Sequence, residues 1–418
     1  MLPRIALLSA LALCAQIAST PAPCQAQTIE KTTLNVACYA YVPEAAYAIE
    51  NLENAFEATP VGSAVDLHID LIDPYDESNL VAVLQNYDLV EIDACVFDVL
   101  SNDGTPGSLL DPLNSDLKLR PEYFAPAARA LVESTPAGAY LIPHWVCGLF
   151  EFVNPVDSVA VNAPSIPALL PQLEPAQGAA LLQDLWGSAT LGEVYANVYL
   201  DRNGPDATRQ HLIALGQGPV NLDPASAALI QEMVEALPPL NQPFLQYYDL
   251  RDWAYPFEFA ESSKSVMIGY SERTYYAEYN AELQTIPPIA PFYSTSTLDI
   301  KTTQFADQDQ GTVAWTDGFV IPKGKLAAKE EVIEQFVAFV LSCEGYACWM
   351  QPAPNGINAM LQPALLTGYE CSETEKSNEL LLEFLGSFST PFLIADAPTY
   401  KGVKAAGKAL QQILSSSP

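Results

Sequence analysis

Apolar and polar positions along this chain switch between two periods, and the switches predict its elements. Leu34-Asn-Val-Ala-Cys-Tyr-Ala-Tyr41 is a β-rich run that stops at Pro43. From Glu44 to Glu57 the apolar residues Ile49, Leu52 and Phe56 recur at helical spacing. Val65-Asp-Leu-His-Ile-Asp-Leu71 alternates strictly and predicts a second strand. Asp73-Pro-Tyr-Asp76 breaks it, Ser78 to Gln85 predicts a helix, and Tyr87-Asp-Leu-Val-Glu-Ile-Asp93 predicts a third strand. Strand, helix, strand, helix, strand is the repeat of a parallel sheet with helical crossovers.

Further along, Pro121 to Glu133 is helical, and Leu141-Ile-Pro-His-Trp-Val-Cys147-Gly-Leu-Phe-Glu-Phe152 reads as a strand or an extended crossover. Pro155 to Pro175 reads as an irregular insertion entering a second domain. Residues 176 to 236 hold amphipathic helices with little nameable chemistry; in one, Asp223 caps and Pro224 takes the first position. Ser265-Val-Met-Ile-Gly-Tyr270-Ser-Glu272 passes from strand to turn, with Ser271 placed to cap a helix. Gly311 to Pro322 is a strand carrying Trp315 and Asp317 on one face. A helix from Lys323 to about Ser342 follows, then helices and loops.

Composition narrows the class. At 418 residues the chain exceeds one ordinary core, and 50% apolar content supplies material for two. The net charge of −32 argues against nucleic acid and anionic membranes as partners and suits a cationic small ligand. Met1 to Arg4 is basic and Ile5 to Ala15 apolar, so residues 1–26 read as a signal peptide and the protein as secreted or periplasmic. No later apolar run is long enough to span a bilayer. In an oxidising compartment Cys38, Cys95, Cys343, Cys348 and Cys371 are candidates for disulfides, with Cys343 or Cys348 able to pair with Cys371. The three histidines have no ligand spacing with a cysteine pair, which speaks against a metal.

Ligands of open α/β sheets bind beyond the carboxyl ends of the strands. Tyr39, Tyr41 and Asp93 sit at such ends and suit a flat cationic ring, although two tyrosines on one strand face need no ligand. Cys147, by its local sequence, reads as a small buried hydrophobe. Glu272, by its own, reads as a first-turn dipole partner. His144, three residues before Cys147, is placed on the opposite face of an extended segment and is discounted as its base.

Five stretches change this balance: Cys-Tyr-Ala-Tyr41, Val-Glu-Ile-Asp93, Ile-Pro-His-Trp-Val-Cys147, Gly-Tyr-Ser-Glu272 and Trp-Thr-Asp317-Gly. Together they resemble the thiamine pyridinylase (thiaminase I) family, on a bilobal α/β fold of the type II periplasmic-binding-protein kind with a ligand cleft between two domains. The resemblance runs from about residue 30 to 345 and omits the Pro-rich segment after Pro155. It implies one lobe over 27–148 plus 312–418 and a second over 149–311. It further implies Cys147 as nucleophile and Glu272 as base, with Tyr39, Tyr41, Asp93, Tyr270 and Asp317 lining the cleft. Trp315 stands where the family has a tyrosine, and Tyr75 and Trp253 are further wall candidates. The implied reaction cleaves thiamine at its methylene bridge and passes the pyrimidinylmethyl group to an amine, pyridine or thiol, in a monomer that needs no metal or organic cofactor. A solute-binding protein of the same fold, without chemistry, is the alternative. A hydrolase using water as acceptor is a variation on the first.

Overall fold

The computed structural model describes residues 31–40, 42, 44–101, 105, 107–153, 160, 162–173, 181–183, 187–235, 266–271, 299–302, 304–306, 310–351, 361–371, 382, 384–386 and 390–416. The expected signal peptide, Tyr41, Trp253 and Glu272 lie outside these residues.

The first five elements follow the order the periodicity predicts: β1 (Thr32–Tyr39), α1 (Ala45–Ala58), β2 (Val65–Ile72), α2 (Glu77–Leu84) and β3 (Leu89–Asp93). β1 pairs in parallel with both β2 and β3. Asp76 caps α2, its carboxylate accepting from the Asn79 N–H at 3.2 Å. After α3 (Pro126–Ser134) the chain enters β4 (Leu141–Gly148), and a single residue, Leu149, separates it from β5 (Phe150–Val153). β4 belongs to a seven-stranded sheet and β5 to a four-stranded one, so this stretch is both strand and crossover.

The middle of the chain contributes β6 (Leu181–Gln183), α4 (Gly187–Asn203), α5 (Pro205–Gln217), α6 (Pro224–Glu235), β7 (Val266–Gly269) and β8 (Asp299–Thr302). Asp223 caps α6 as its sequence predicts, accepting from the Ser226 N–H at 2.8 Å. The chain then returns to the first sheet as β9 (Thr312–Val320) and continues through α7 (Lys325–Val340), α8 (Cys343–Met350), β10 (Gln362–Pro363), β11 (Pro391–Leu393) and α9 (Ala397–Ser416). The larger sheet runs β10-β4-β9-β3-β1-β2, with β11 also on β9; the smaller runs β6-β7-β5-β8.

β9 is antiparallel to both β3 and β4, and all nine of its residues are buried. Its Gly318 has no room for a side chain: a Cβ there would lie 2.4 Å from the Ile142 carbonyl oxygen. Across the large sheet's helical cover, Phe56 of α1 meets Phe336 and Phe339 of α7 at centroid distances of 5.3 and 5.4 Å.

α4 departs from the simple amphipathic expectation. Glu193, Asn197 and Asp201 recur every four residues on a buried face, 0%, 1% and 3% exposed. The Asn197 side-chain oxygen accepts from the Val313 N–H at 2.9 Å, and Asp201 accepts from the Phe305 N–H at 2.6 Å. Asn197 and Asp201 therefore satisfy buried backbone donors at the start of β9 and on the passage leading to it. α4 packs against α9 and β9, elements that the sequence reading assigns to the other unit.

Cys343 and Cys371 form a disulfide, one of the two pairings the sequence left open. Cys38, Cys95 and Cys348 are buried thiols. Among the described residues no helix is long and apolar enough to cross a membrane.

Candidate functional site

Residues directly opposite one another in a sheet share a face. Asp93, at the end of β3, stands opposite Asp317 of β9. On the other side of β9, Trp145 stands opposite Asp317 and Cys147 opposite Trp315. Five residues from three strands thus share one face: Asp93, Asp317, Trp315, Trp145 and Cys147. Tyr39 ends β1 beside them.

Hydrogen bonds tie this group together. The Tyr75 hydroxyl donates to Asp93 Oδ2 at 2.9 Å, and the Cys95 N–H donates to Asp93 Oδ1 at 2.9 Å. The hydroxyls of Tyr39 and Tyr75 are 3.2 Å apart. Behind them, Tyr400 of α9 packs on Tyr75 and edge-on to Trp315, each at 5.9 Å between centroids, with the Lys404 ammonium 5.0 Å from the Tyr400 ring centre.

Dryness governs the electrostatics. Burial pushes Asp93 up to about 6, against the bonds from Cys95 and Tyr75 that favour its charged form. Burial, followed by the charge of Asp317, holds the Tyr39 hydroxyl well above its ordinary value; Asp93 and Cys147 add to the rise. Burial and then Asp93 do the same for Tyr75. Both tyrosines are neutral hydrogen-bond donors across the physiological range. Cys95 and Cys38 are raised well above the usual thiol value by burial first, which makes them poor nucleophiles. Cys147 is the half-buried thiol of the group.

His144 corrects one expectation. Strict alternation puts it on the face opposite Cys147. Instead the β4–β9 register shifts between Pro143 and Trp145, and His144 is the extra residue of a bulge. Its ring lies on the side of Glu91 and Phe319, 2.6 Å from the Glu91 carboxylate through Nδ1 and 5.0 Å from the Phe319 ring centre. Its Nε2 is buried and hydrogen-bonds to no described residue. The bond to Glu91 and the surrounding rings give His144 a structural place rather than that of a base for Cys147.

Tyr270 follows β7 in the smaller sheet. Phe150 pairs with Gly269, so the register brings Tyr270 alongside Leu149, two residues after Cys147. Its hydroxyl donates to Glu193 of α4 at 2.5 Å, and the adjacent Ser271 is buried. The structure thus groups Tyr39, Asp93, Cys147, Trp315 and Asp317, with Tyr270 at the neighbouring crossover. Sequence reasoning did not find Glu91, Glu193 or Tyr400; none has a local signal beyond a polar residue in a strand or an aromatic in a helix. Tyr75, a wall candidate by its sequence, is placed inside the group by its bond to Asp93.

No protein-family model and no curated protein matches the chain. Solved structures do. Thiaminase I from Bacillus thiaminolyticus is similar over 91% of this chain and 98% of its own, with a TM-score of 0.67 at 19% identity. Clostridium botulinum thiaminase I in complex with thiamin gives a TM-score of 0.69 at 16% identity, over 91% and 99%. An ABC transporter solute-binding protein from Agrobacterium radiobacter K84, in complex with ribitol, gives 0.62 at 13% identity, over 93% and 95%. The chain is an α/β protein with the fold of type II periplasmic binding proteins, a fold that thiaminase I and the solute-binding proteins share.

Proposed function

We propose that the protein is an exported thiamine-cleaving transferase of the thiaminase I type. The observation that carries this reading is the common face of Cys147, Trp315, Asp317 and Asp93, with neutral tyrosine hydroxyls beside it. A plain solute-binding pocket has no use for a half-buried thiol there.

The residue types fit the chemistry. The Cys147 thiolate adds to the unsubstituted pyrimidine carbon next to the one bearing the methylene, and the ring gives up its aromaticity. The ring electrons then expel the thiazolium as neutral thiazole, leaving an exocyclic alkene. An amine, pyridine or thiol adds at that methylene carbon, an amine or thiol then giving its proton to a base and pyridine remaining as a pyridinium, and the thiolate leaves as the ring rearomatises. Asp93, poised near pH 6, and Asp317 hold the aminopyrimidine by charge-assisted hydrogen bonds. By resemblance to the family motifs, Tyr39, Tyr41, Tyr270 and Trp315 are assigned to flank the rings. Glu272 is assigned the base by resemblance to the family motif. No metal or organic cofactor enters this scheme.

Incubation with thiamine, with and without pyridine or aniline, tests it by mass spectrometry. We expect free thiazole and a pyrimidinylmethyl adduct, both absent in Cys147→Ser. Glu272→Gln should still bind thiamine while turnover falls by roughly two orders of magnitude or more. Tight binding with no product would favour the solute-binding reading, which the likeness to the ribitol-bound solute-binding protein supports.

A further inference from the structure

The bulge at His144 decides which face of β4 carries Cys147. Pro143 pairs with Gly318 and Trp145 with Asp317, so one step of β9 is matched by two residues of β4. Without the extra residue, alternation would set Val146 on the face of Asp317 and Trp315 and turn Cys147 to the other side. An unpaired residue inside a central strand needs something to hold it.

His144 is held from three directions. Its Nδ1 meets Glu91 Oε1 at 2.6 Å, with both side chains no more than 1% exposed. The other Glu91 oxygen accepts from the Tyr39 N–H at 3.0 Å. The His144 carbonyl accepts from the Ala364 N–H at 2.9 Å and from the Tyr346 hydroxyl at 3.3 Å. Its ring packs against Trp145, Phe319 and Tyr346 at centroid distances of 4.2, 5.0 and 5.8 Å. Glu91 is on β3 and His144 on β4, with β9 between them, so the bond reaches across the strand that carries Asp317.

We propose that the buried Glu91–His144 pair is a positioning device for Cys147: it pins the bulge and so keeps the thiol on the face of Asp93 and Asp317. The same carboxylate fixes the backbone of Tyr39, so one pair aligns the ends of three strands at the site. Neither residue touches the reacting atoms. The consequence for turnover rests on the proposed function; the consequence for the thiol does not.

Alkylation of Cys147 by iodoacetamide, read by peptide mass on the folded protein, tests the device without thiamine. Cys38, Cys95 and Cys348 are buried and leave this readout clean. Glu91→Ala should slow alkylation of Cys147 about tenfold and turnover about a hundredfold or more, because a misplaced nucleophile loses its attack geometry. Glu91→Gln, whose amide keeps a bond to each neighbour, should stay within about threefold in alkylation. Glu91→Gln/His144→Phe keeps the ring packing and carries no buried charge; it should show the same slowed alkylation, and it serves as the test where Glu91→Ala does not fold. Wild-type alkylation in folded Glu91→Ala or in the double variant, with only a lowered Tm, overturns the proposal. A wild type that alkylates normally but never turns over thiamine removes the functional reading alone, and the alkylation comparison still decides the positioning.

Discussion

Asp93 and Asp317 face each other as direct partners across β3 and β9, 2% and 7% exposed. Burial in so dry a site disfavours the charged form of a carboxylate. Asp93 is held near 6 in the folded protein against 3.8 in a model peptide. Between those values the folded chain keeps a proton that the unfolded chain has released, so the Asp93 contribution to stability is full below about 3.8 and lost as pH rises through about 6. Thermal melts from pH 3.5 to 7 should show the wild type losing on the order of 2 kcal/mol that Asp93→Asn does not lose. Parallel curves would mean that Asp93 ionises as it does in water.

The Tyr75 hydroxyl favours the charged form of Asp93. Tyr75→Phe keeps the ring and removes that donor. The Asp93 titration should therefore move further up, visible as an upward displacement of the acid limb of kcat/KM or of the pH-dependent melt. A downward displacement would assign the control of Asp93 elsewhere.

Tyr270→Phe removes the hydroxyl that donates to Glu193, a side chain with no exposure. Loss of a donor to a buried carboxylate costs about 1–3 kcal/mol. A urea melt should show this in its midpoint, and the variant's KM for thiamine should rise as the ring loses its anchor. An unchanged midpoint would show that other donors satisfy Glu193 fully.

The Cys343–Cys371 disulfide closes a segment of 28 residues. Constraining such a loop in the unfolded chain contributes about 3 kcal/mol. Cys343→Ser/Cys371→Ser should melt at a lower temperature, yet keep its Cys147 alkylation rate while folded. A melting temperature unaffected by the double substitution would leave the bridge without a stabilising role.

Where a signal is local, the sequence carries it. The Asp223 cap of α6, the alternation of β2 and the helical spacing of Ile49, Leu52 and Phe56 are all contained in a few neighbouring residues. The bulge at His144 is not, because register belongs to the strand that β4 pairs with, and β9 is far along the chain. Strict alternation gave the right shared face for Trp145 and Cys147 and the wrong one for His144. Nothing local marks Glu193, Asn197 and Asp201 as a buried stripe, because the donors they satisfy come from Tyr270, Phe305 and Val313. The tyrosine and aspartate motifs were legible as types, and the family resemblance grouped them. Tyr400 reaches the group only through tertiary packing of α9, which no nearby pattern announces.

β9 also sets an order of assembly. It lies between β3 and β4, yet it is synthesised long after both. A growing chain that has passed residue 148 still has a gap in its sheet, with Asp93 and Cys147 on the two sides of it and no strand to join them. Long-range pairing of this kind is slow, and it cannot begin until Thr312–Val320 has emerged. The thiol and the carboxylates therefore meet only after about three-quarters of the polypeptide has been made, and until then the nascent chain carries the parts of the site without the site itself.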